Sequence, residues 1–258
     1  MKRRTRKIVD LVPIRRTVLR AYYYTTYYIK AGGRVRAMGV DGVFRRIYQD
    51  NSWESDESVS GPGSTVEYTK NIREQIPRII HRLGVKQILD APCGDYNWFR
   101  LIERGEDVSY IGGDIVDGLV ISNQKEYGND YTRFVRLDII NDELPEADLW
   151  LCRDCFQHLS NGDILKVLRN FLNSDIRYLL ASTYTECKRN RNTPTGMRAR
   201  PLNLELPPFS LSKPIESICD GIEGDSVRQR HLALWEKRQL SESLASNKAL
   251  KRLGSAVS

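Results

Sequence analysis

The chain has 258 residues, 40% of them hydrophobic, which suffices for one α/β domain of ordinary size plus an appendage and is a tight fit for two full domains. No stretch approaches the roughly 18 uninterrupted apolar residues of a membrane span, so the reading is a soluble chain with no cleaved leader. The formal net charge of +7 is unevenly spread: of 40 Lys/Arg, 13 fall in residues 1–46 against only Asp10 and Asp41, leaving 27 basic against 31 acidic residues in the rest, so the basicity belongs to the N-terminal arm.

In chain order, Ile8, Leu11, Val12, Val18, Leu19, Tyr22 and Tyr23 recur at helical spacings and predict one or two amphipathic helices, broken or restarted near Pro13. With Arg and Lys on its other faces, the arm 1–46 suits an anionic lipid surface, a polyanion or a protein partner. Residues 47–65 are polar and rich in Ser and Gly, with Tyr48 and Trp53 as lone aromatics, and predict a loop with defined turns. A helical pattern runs from Val66 through His81 and stops at Gly84, so 47–84 reads as a lid loop and cap helix.

Strand patterns then follow over 87–91, 109–114, 133–137, 148–153 and 178–183, separated by helical patterns over 96–104, 117–127 and 162–172. This alternation predicts a doubly wound, mostly parallel α/β sheet with helices on both faces, spanning 85–240, and ligands at the carboxyl ends of its strands. Residues 185–214 hold five prolines and read as a long ordered loop over that edge. Residues 231–240 read as a late strand, and those from Ser241 as a flexible tail. The five cysteines, odd in number and scattered, predict reduced thiols in a cytoplasm. Cys152 and Cys155 form a C-x-x-C with no second ligand pair, so no metal is assigned.

The chemistry concentrates at the strand ends. Asp90 ends the first strand and is followed by the small turn Ala91-Pro92-Cys93-Gly94, where backbone amides can face a ligand. Asp114 ends the next strand, about 20 residues on, where a carboxylate can accept both hydroxyls of a ribose. A dinucleotide would want G-x-G-x-x-G, but Asp95, Tyr96 and Asn97 stand where the later glycines would fall, and Asp95 would repel a pyrophosphate while tolerating a cationic sulfonium. No G-K-[ST] follows a strand. Asp138, at the end of the third strand, can meet an adenine amino group.

ILDAPCGD, YIGGDI, RLDI and ADLWLCRDCFQHLS resemble the successive cofactor motifs of the class I S-adenosylmethionine-dependent methyltransferases over residues 86–184. The resemblance implies S-adenosyl-L-methionine as cofactor. It assigns Asp90, Ala91, Pro92, Cys93, Gly94, Asp95, Asn97, Trp98, Asp114, Ile115, Asp138, Ile139 and Arg153 to its site. Pro92 and Cys93 before a single glycine depart from the commoner D-x-G-x-G-x-G loop. NSWESDESVSGPGST, PCGDYNWF, CRDCFQHLS and RPLNLELPPFSLSKPI are similar to an uncharacterised bacterial methyltransferase group associated with polysaccharide and glycan gene clusters, which implies a sugar or glycan hydroxyl as acceptor.

A hydroxyl acceptor calls for a base, and His158, four residues beyond Asp154 after the fourth strand, is the candidate, with Asp154 beside it. The competing reading of His158 is a histidine satisfied by backbone. His81 and His231 read as structural. Trp53, Ser60 and Ser64 in the lid, and Arg200 and Asn203 in the late loop, are candidate substrate contacts. Asp154-Cys155-Phe156-Gln157 lacks the prolines of amino-group methyltransferases, and Cys155 lacks the Pro-Cys setting of a cytosine-methylating nucleophile. The leading reading is an O-methyltransferase of a glycan or small hydroxylated molecule. An RNA methyltransferase gripping phosphates with the arm and a non-catalytic cofactor-binding assembly subunit are the alternatives.

Overall fold

Strands apolar on both faces set the architecture of the computed structural model, which describes residues 12–221 and 230–245. Seven strands, β1 (Gln87–Asp90), β2 (Ser109–Asp114), β3 (Thr132–Arg136), β4 (Leu149–Cys152), β5 (Tyr178–Tyr184), β6 (Glu216–Cys219) and β7 (Arg230–Glu236), form one sheet in the order β3-β2-β1-β4-β5-β7-β6. The pairs among β1 to β5 are parallel, and β7 is antiparallel to both its neighbours. The order reverses between β1 and β4, which opens a crevice at the carboxyl edge. Because β7 runs backwards, its first residue, Arg230, pairs with Tyr184 at that same edge.

Ile88, Leu149, Leu151, Leu180, Leu232 and Leu234 project to one face of the sheet and pack with Ile72, Ile76, Ile79 and Ile80 of α2 (Lys70–Leu83). Leu89, Trp150, Cys152, Leu179, Ala181, Ala233 and Trp235 project to the other, against Ile164, Leu165, Val167, Leu168 and Phe171 of α4 (Asn161–Asn173). Each fully buried aliphatic side chain contributes about 1.5–3 kcal/mol, so these two layers hold the domain together. Val120 of α3 (Asp117–Tyr127) flanks the first layer, and Leu240 of α5 (Lys237–Ala245) joins the second.

Several local expectations need correction. The helix expected over 96–104 shrinks to a single 3-10 turn, Phe99–Leu101, because Tyr96 takes a φ of +58° that a helix does not admit. The cap helix begins at Lys70, not Val66. The strand expected over 231–240 ends at Glu236, and α5 carries on through Ala245 into the segment expected to be flexible. β6 was not predicted: ESIC is too short to carry a pattern and forms because β7 offers it an edge. Residues 47–49 are helical rather than loop. They close α1 (Val12–Gln49), which bends at Gly39, whose φ of +73° suits glycine. Ile8 and Leu11 lie outside the described residues. Between Tyr184 and Glu216 the chain forms no helix or strand, as expected. No helix among the described residues is long and apolar enough to cross a membrane.

Candidate functional site

A cavity of about 650 Å³ opens at the carboxyl edge of the sheet. One half is built by the ends of β1, β2 and β3. After Asp90 the turn is fastened to β2 by Cys93 N–H donating to Gly113 O at 2.9 Å, and Gly94 takes a φ of +57°. A Cβ at Gly94 would lie 2.1 Å from Ser60 Oγ, so only glycine lets the lid settle on the turn. Asp114 Oδ2 accepts from Gly94 N–H at 3.1 Å and Oδ1 from Val116 N–H at 3.0 Å. Burial pushes the Asp114 carboxyl up to about 6 in spite of these bonds. Asp90 is buried, accepts from Tyr110 Oη at 2.8 Å, and is pushed by burial up to about 7, with the Tyr110 bond and Arg153 acting against the shift.

Ile115, Val116, Leu119, Leu137, Ile139 and Ile140 make an apolar wall next to Asp138. Asp138 accepts from Ile140 N–H at 2.9 Å and from Asn141 Nδ2 at 2.7 Å. Above the wall lie Val40, Phe44 and Tyr48, one face of the part of α1 beyond Gly39. That part is clamped on both sides. Val43 Cγ1 lies 2.3 Å from where a Cβ on Gly196 would stand, and Arg45 pairs with Asp117 at 3.4 Å. The spacing of four among Val40, Phe44 and Tyr48 is the local sign of a half-buried helical face, masked by the basic residues around it.

The other half gathers charges from three segments. Arg153, after β4, pairs with Asp220 through Nε at 3.0 Å and Nη2 at 2.8 Å, donates to Gly63 O, and lies over the Trp98 ring at 4.9 Å. Asp220, after β6, also faces Arg230 Nε at 2.8 Å, and Arg230 Nη1 faces Asp154 Oδ2 at 2.6 Å. Asp154 holds a φ of +53°, its N–H donating to Ser182 Oγ at 2.8 Å. Burial opposes its charge, but Arg230, Arg153 and His158 outweigh burial and hold its carboxyl below the ordinary value. His158 Nδ1 meets Met197 O at 2.9 Å; a carbonyl only accepts, so the proton sits on Nδ1. Burial lowers the His158 pKa against the pull of Asp154. The Trp53 ring lies 5.5 Å from the imidazole.

Of the residues expected here, Asp90, Pro92, Cys93, Gly94, Trp98, Asp114, Ile115, Asp138, Ile139, Arg153, Asp154, His158, Trp53, Ser60 and Ser64 all line the cavity. Five do not. Ala91 is buried, its N–H on Leu151 O and its carbonyl accepting from Trp150 Nε1. Asp95 spends its carboxylate on Ser58 Oγ, Val59 N–H and Ser60 Oγ at 2.9–3.2 Å, and Asn97 donates to Glu57 Oε1 and Ser64 O, so both fasten the lid instead of facing a ligand. Arg200 donates to Gln157 O, Arg191 O and Asn161 Oδ1, and Asn203 to the carbonyls of Thr185 and Cys187. Both pin the 185–214 loop. Sequence reasoning missed Tyr68, Tyr184, Arg198 and Arg230, which line the cavity from segments without a motif.

No protein-family model and no curated protein matches the sequence. Among solved structures, the chain is similar to Burkholderia thailandensis 1,6-didemethyltoxoflavin-N1-methyltransferase with bound 1,6-didemethyltoxoflavin and S-adenosylhomocysteine, with TM-score 0.54 and 18% identity, over 80% of this chain and 89% of that one. It is also similar to the methyltransferase domain of bacterial CtHen1-CN (TM-score 0.49, 10% identity, 65% and 98% covered). Against human N-acetylserotonin methyltransferase in complex with SAM the TM-score is 0.47 at 13% identity, and 74% of this chain covers 58% of that one. The first likeness and the strand order β3-β2-β1-β4-β5-β7-β6 together show the Rossmann-like fold of the class I methyltransferases.

Proposed function

We propose that the chain is an S-adenosylmethionine-dependent O-methyltransferase whose acceptor is a hydroxyl of a sugar, glycan or other small molecule. The observation that carries this reading is the tautomer of His158. With its proton on Nδ1, toward Met197 O, the neutral ring keeps a lone pair on Nε2, and the ring lines the cavity.

The β1–β3 half fits the cofactor. Each Asp114 oxygen keeps a lone pair for a ribose hydroxyl, the wall of Ile115, Leu119, Leu137 and Ile139 suits an adenine ring, and Asp138 stands beside it. A volume of about 650 Å³ falls among sites that enclose small molecules, roughly 300–1,000 Å³. When bound, S-adenosylmethionine supplies a methyl group made electrophilic by its sulfonium. His158 Nε2 takes the proton of the acceptor hydroxyl, and the ionised Asp154 stabilises the resulting imidazolium. Trp53 offers a sugar an apolar face next to the base, and Phe44 and Tyr48 exclude water. The roof supports a small acceptor over a polynucleotide. The basic residues of 1–46 are assigned to a protein partner or an anionic membrane surface, checked by vesicle sedimentation with and without those residues.

The direct test is methyl transfer from labelled cofactor into fractionated glycans, lipids and RNA by wild type and His158→Ala. Label in a glycan or small-molecule fraction that the variant no longer produces supports the reading, and label confined to RNA overturns it.

A further inference from the structure

Among the described residues, neither charge nor hydrogen-bonding capacity closes on the acceptor side of the cavity. Arg153 and Arg230 are offset by Asp220 and Asp154, two guanidinium groups against two carboxylates. Arg198, from the 185–214 loop, lines the same cavity, is exposed, and forms no hydrogen bond or ion pair among the described residues. Among the described residues it is a cation without a counterpart. Arg230 is only 6% exposed, yet its Nη2 is buried with no hydrogen-bond partner among the described residues, and its Nε faces Asp220 out of hydrogen-bond alignment. A buried donor left unmade is costly unless something arrives to use it. The Tyr68 ring, 5.1 Å from the guanidinium carbon, backs the Arg230 plane.

We propose that Arg230 and Arg198 form an oxyanion subsite, so that the acceptor is a hydroxylated molecule carrying a carboxylate or phosphate, such as an acidic or phosphorylated sugar. Arg230 supplies unspent donors in a rigid fork and Arg198 supplies unspent charge, the two requirements for holding an oxyanion. Asp154 repels such a group from the Nη1 side of Arg230. The anion is therefore held by the remaining donors and by Arg198, which leaves Asp154 beside His158. The assignment rests on the methyl-donor reading above. The same anion chemistry could come from the amino-acid carboxylate of the donor itself, and the test separates the two.

The full chain, saturated with S-adenosylhomocysteine, is titrated calorimetrically with glucuronate, glucose 6-phosphate and methyl glucoside. At least one acidic probe binds and the neutral one does not. Arg198→Ala weakens the acidic probe by about tenfold, the loss of one charged contact, and leaves S-adenosylhomocysteine affinity unchanged. Arg230→Lys, which keeps the charge and loses the fork, weakens the same probe. If that buried substitution unfolds the chain, the exposed Arg198→Ala decides alone. Binding of methyl glucoside as tightly as the acidic probes, binding of neither acidic probe, or indifference to Arg198→Ala overturns the subsite. A loss of S-adenosylhomocysteine affinity in Arg198→Ala assigns the anion to the donor and also overturns it. Failure of wild type to bind S-adenosylhomocysteine sinks the donor reading instead; the acidic probes are then titrated into the chain alone, where the same dependence on Arg198 is required.

Discussion

The two halves of the cavity are built from different kinds of chain. Asp90 and Asp114 end β1 and β2 and Asp138 follows their neighbour β3, so parallel pairing is enough to bring their carboxylates to one edge. Trp53, His158, Arg198 and Arg230 come from segments remote from one another: Asp220 and Asp154 hold Arg230, the bond from His158 to Met197 O holds the loop that carries Arg198, and the Trp53 ring packs beside the imidazole. The first half is positioned by backbone hydrogen bonds. The second is positioned by side chains, and a side-chain network fails as a unit when one member is lost.

Four expected outcomes sharpen or break that contrast. The largest is His158→Ala, which lowers kcat for methyl transfer by about 10²–10⁴-fold while S-adenosylhomocysteine affinity in calorimetry stays put. In the wild type the rate rises with pH through an apparent pKa below the ordinary histidine value and then levels, since the base works deprotonated. Asp220→Ala comes next. It leaves Arg153 and Arg230 buried with one carboxylate between them and destabilises the fold by about 3–5 kcal/mol in denaturant titrations. Loss of activity with unchanged stability would show that the network positions the acceptor without holding up the fold.

Asp114→Ala removes two charged hydrogen-bond acceptors and weakens S-adenosylhomocysteine by about 10²-fold with little effect on folding; a change under threefold would remove Asp114 from the donor site. The smallest effect concerns Asp90. Its folded pKa, about 7, lies above the unfolded value, so its protonation favours the folded state at low pH and that contribution is lost as pH rises from about 4 through about 7. Asp90→Asn therefore raises Tm more at pH 8 than at pH 5, by about 2–4 °C for each ~1 kcal/mol relieved. An equal shift at both pH values would show that the carboxyl titrates normally.

The same contrast explains what could be read in advance. Strands β1 to β5 and the helices α3 and α4 were legible because their apolar spacing is local and repeated, and the carboxylates at β1, β2 and β3 came with them. Asp95 and Asn97, expected at the cofactor, do not line the cavity: a motif position states where a side chain starts, while their partners, Ser58, Ser60, Glu57 and Ser64, lie in a loop far back in the chain. Arg200 and Asn203 have the right chemistry for a substrate, but backbone carbonyls of their own loop and, for Arg200, that of Gln157 claim it first.

By itself the sequence determined the doubly wound sheet, the loop at Ala91 to Gly94 and the acid at each of the first three strand ends, because hydrophobic periodicity and strand termination are properties of contiguous residues. Only the tertiary structure decided that β7 runs backwards to bring Arg230 to the carboxyl edge, that α1 bends at Gly39 to roof the cavity, and that two arginines and two aspartates share one buried network. Those features depend on which distant segments satisfy each other's charges and apolar faces once water is excluded, and no local pattern records that.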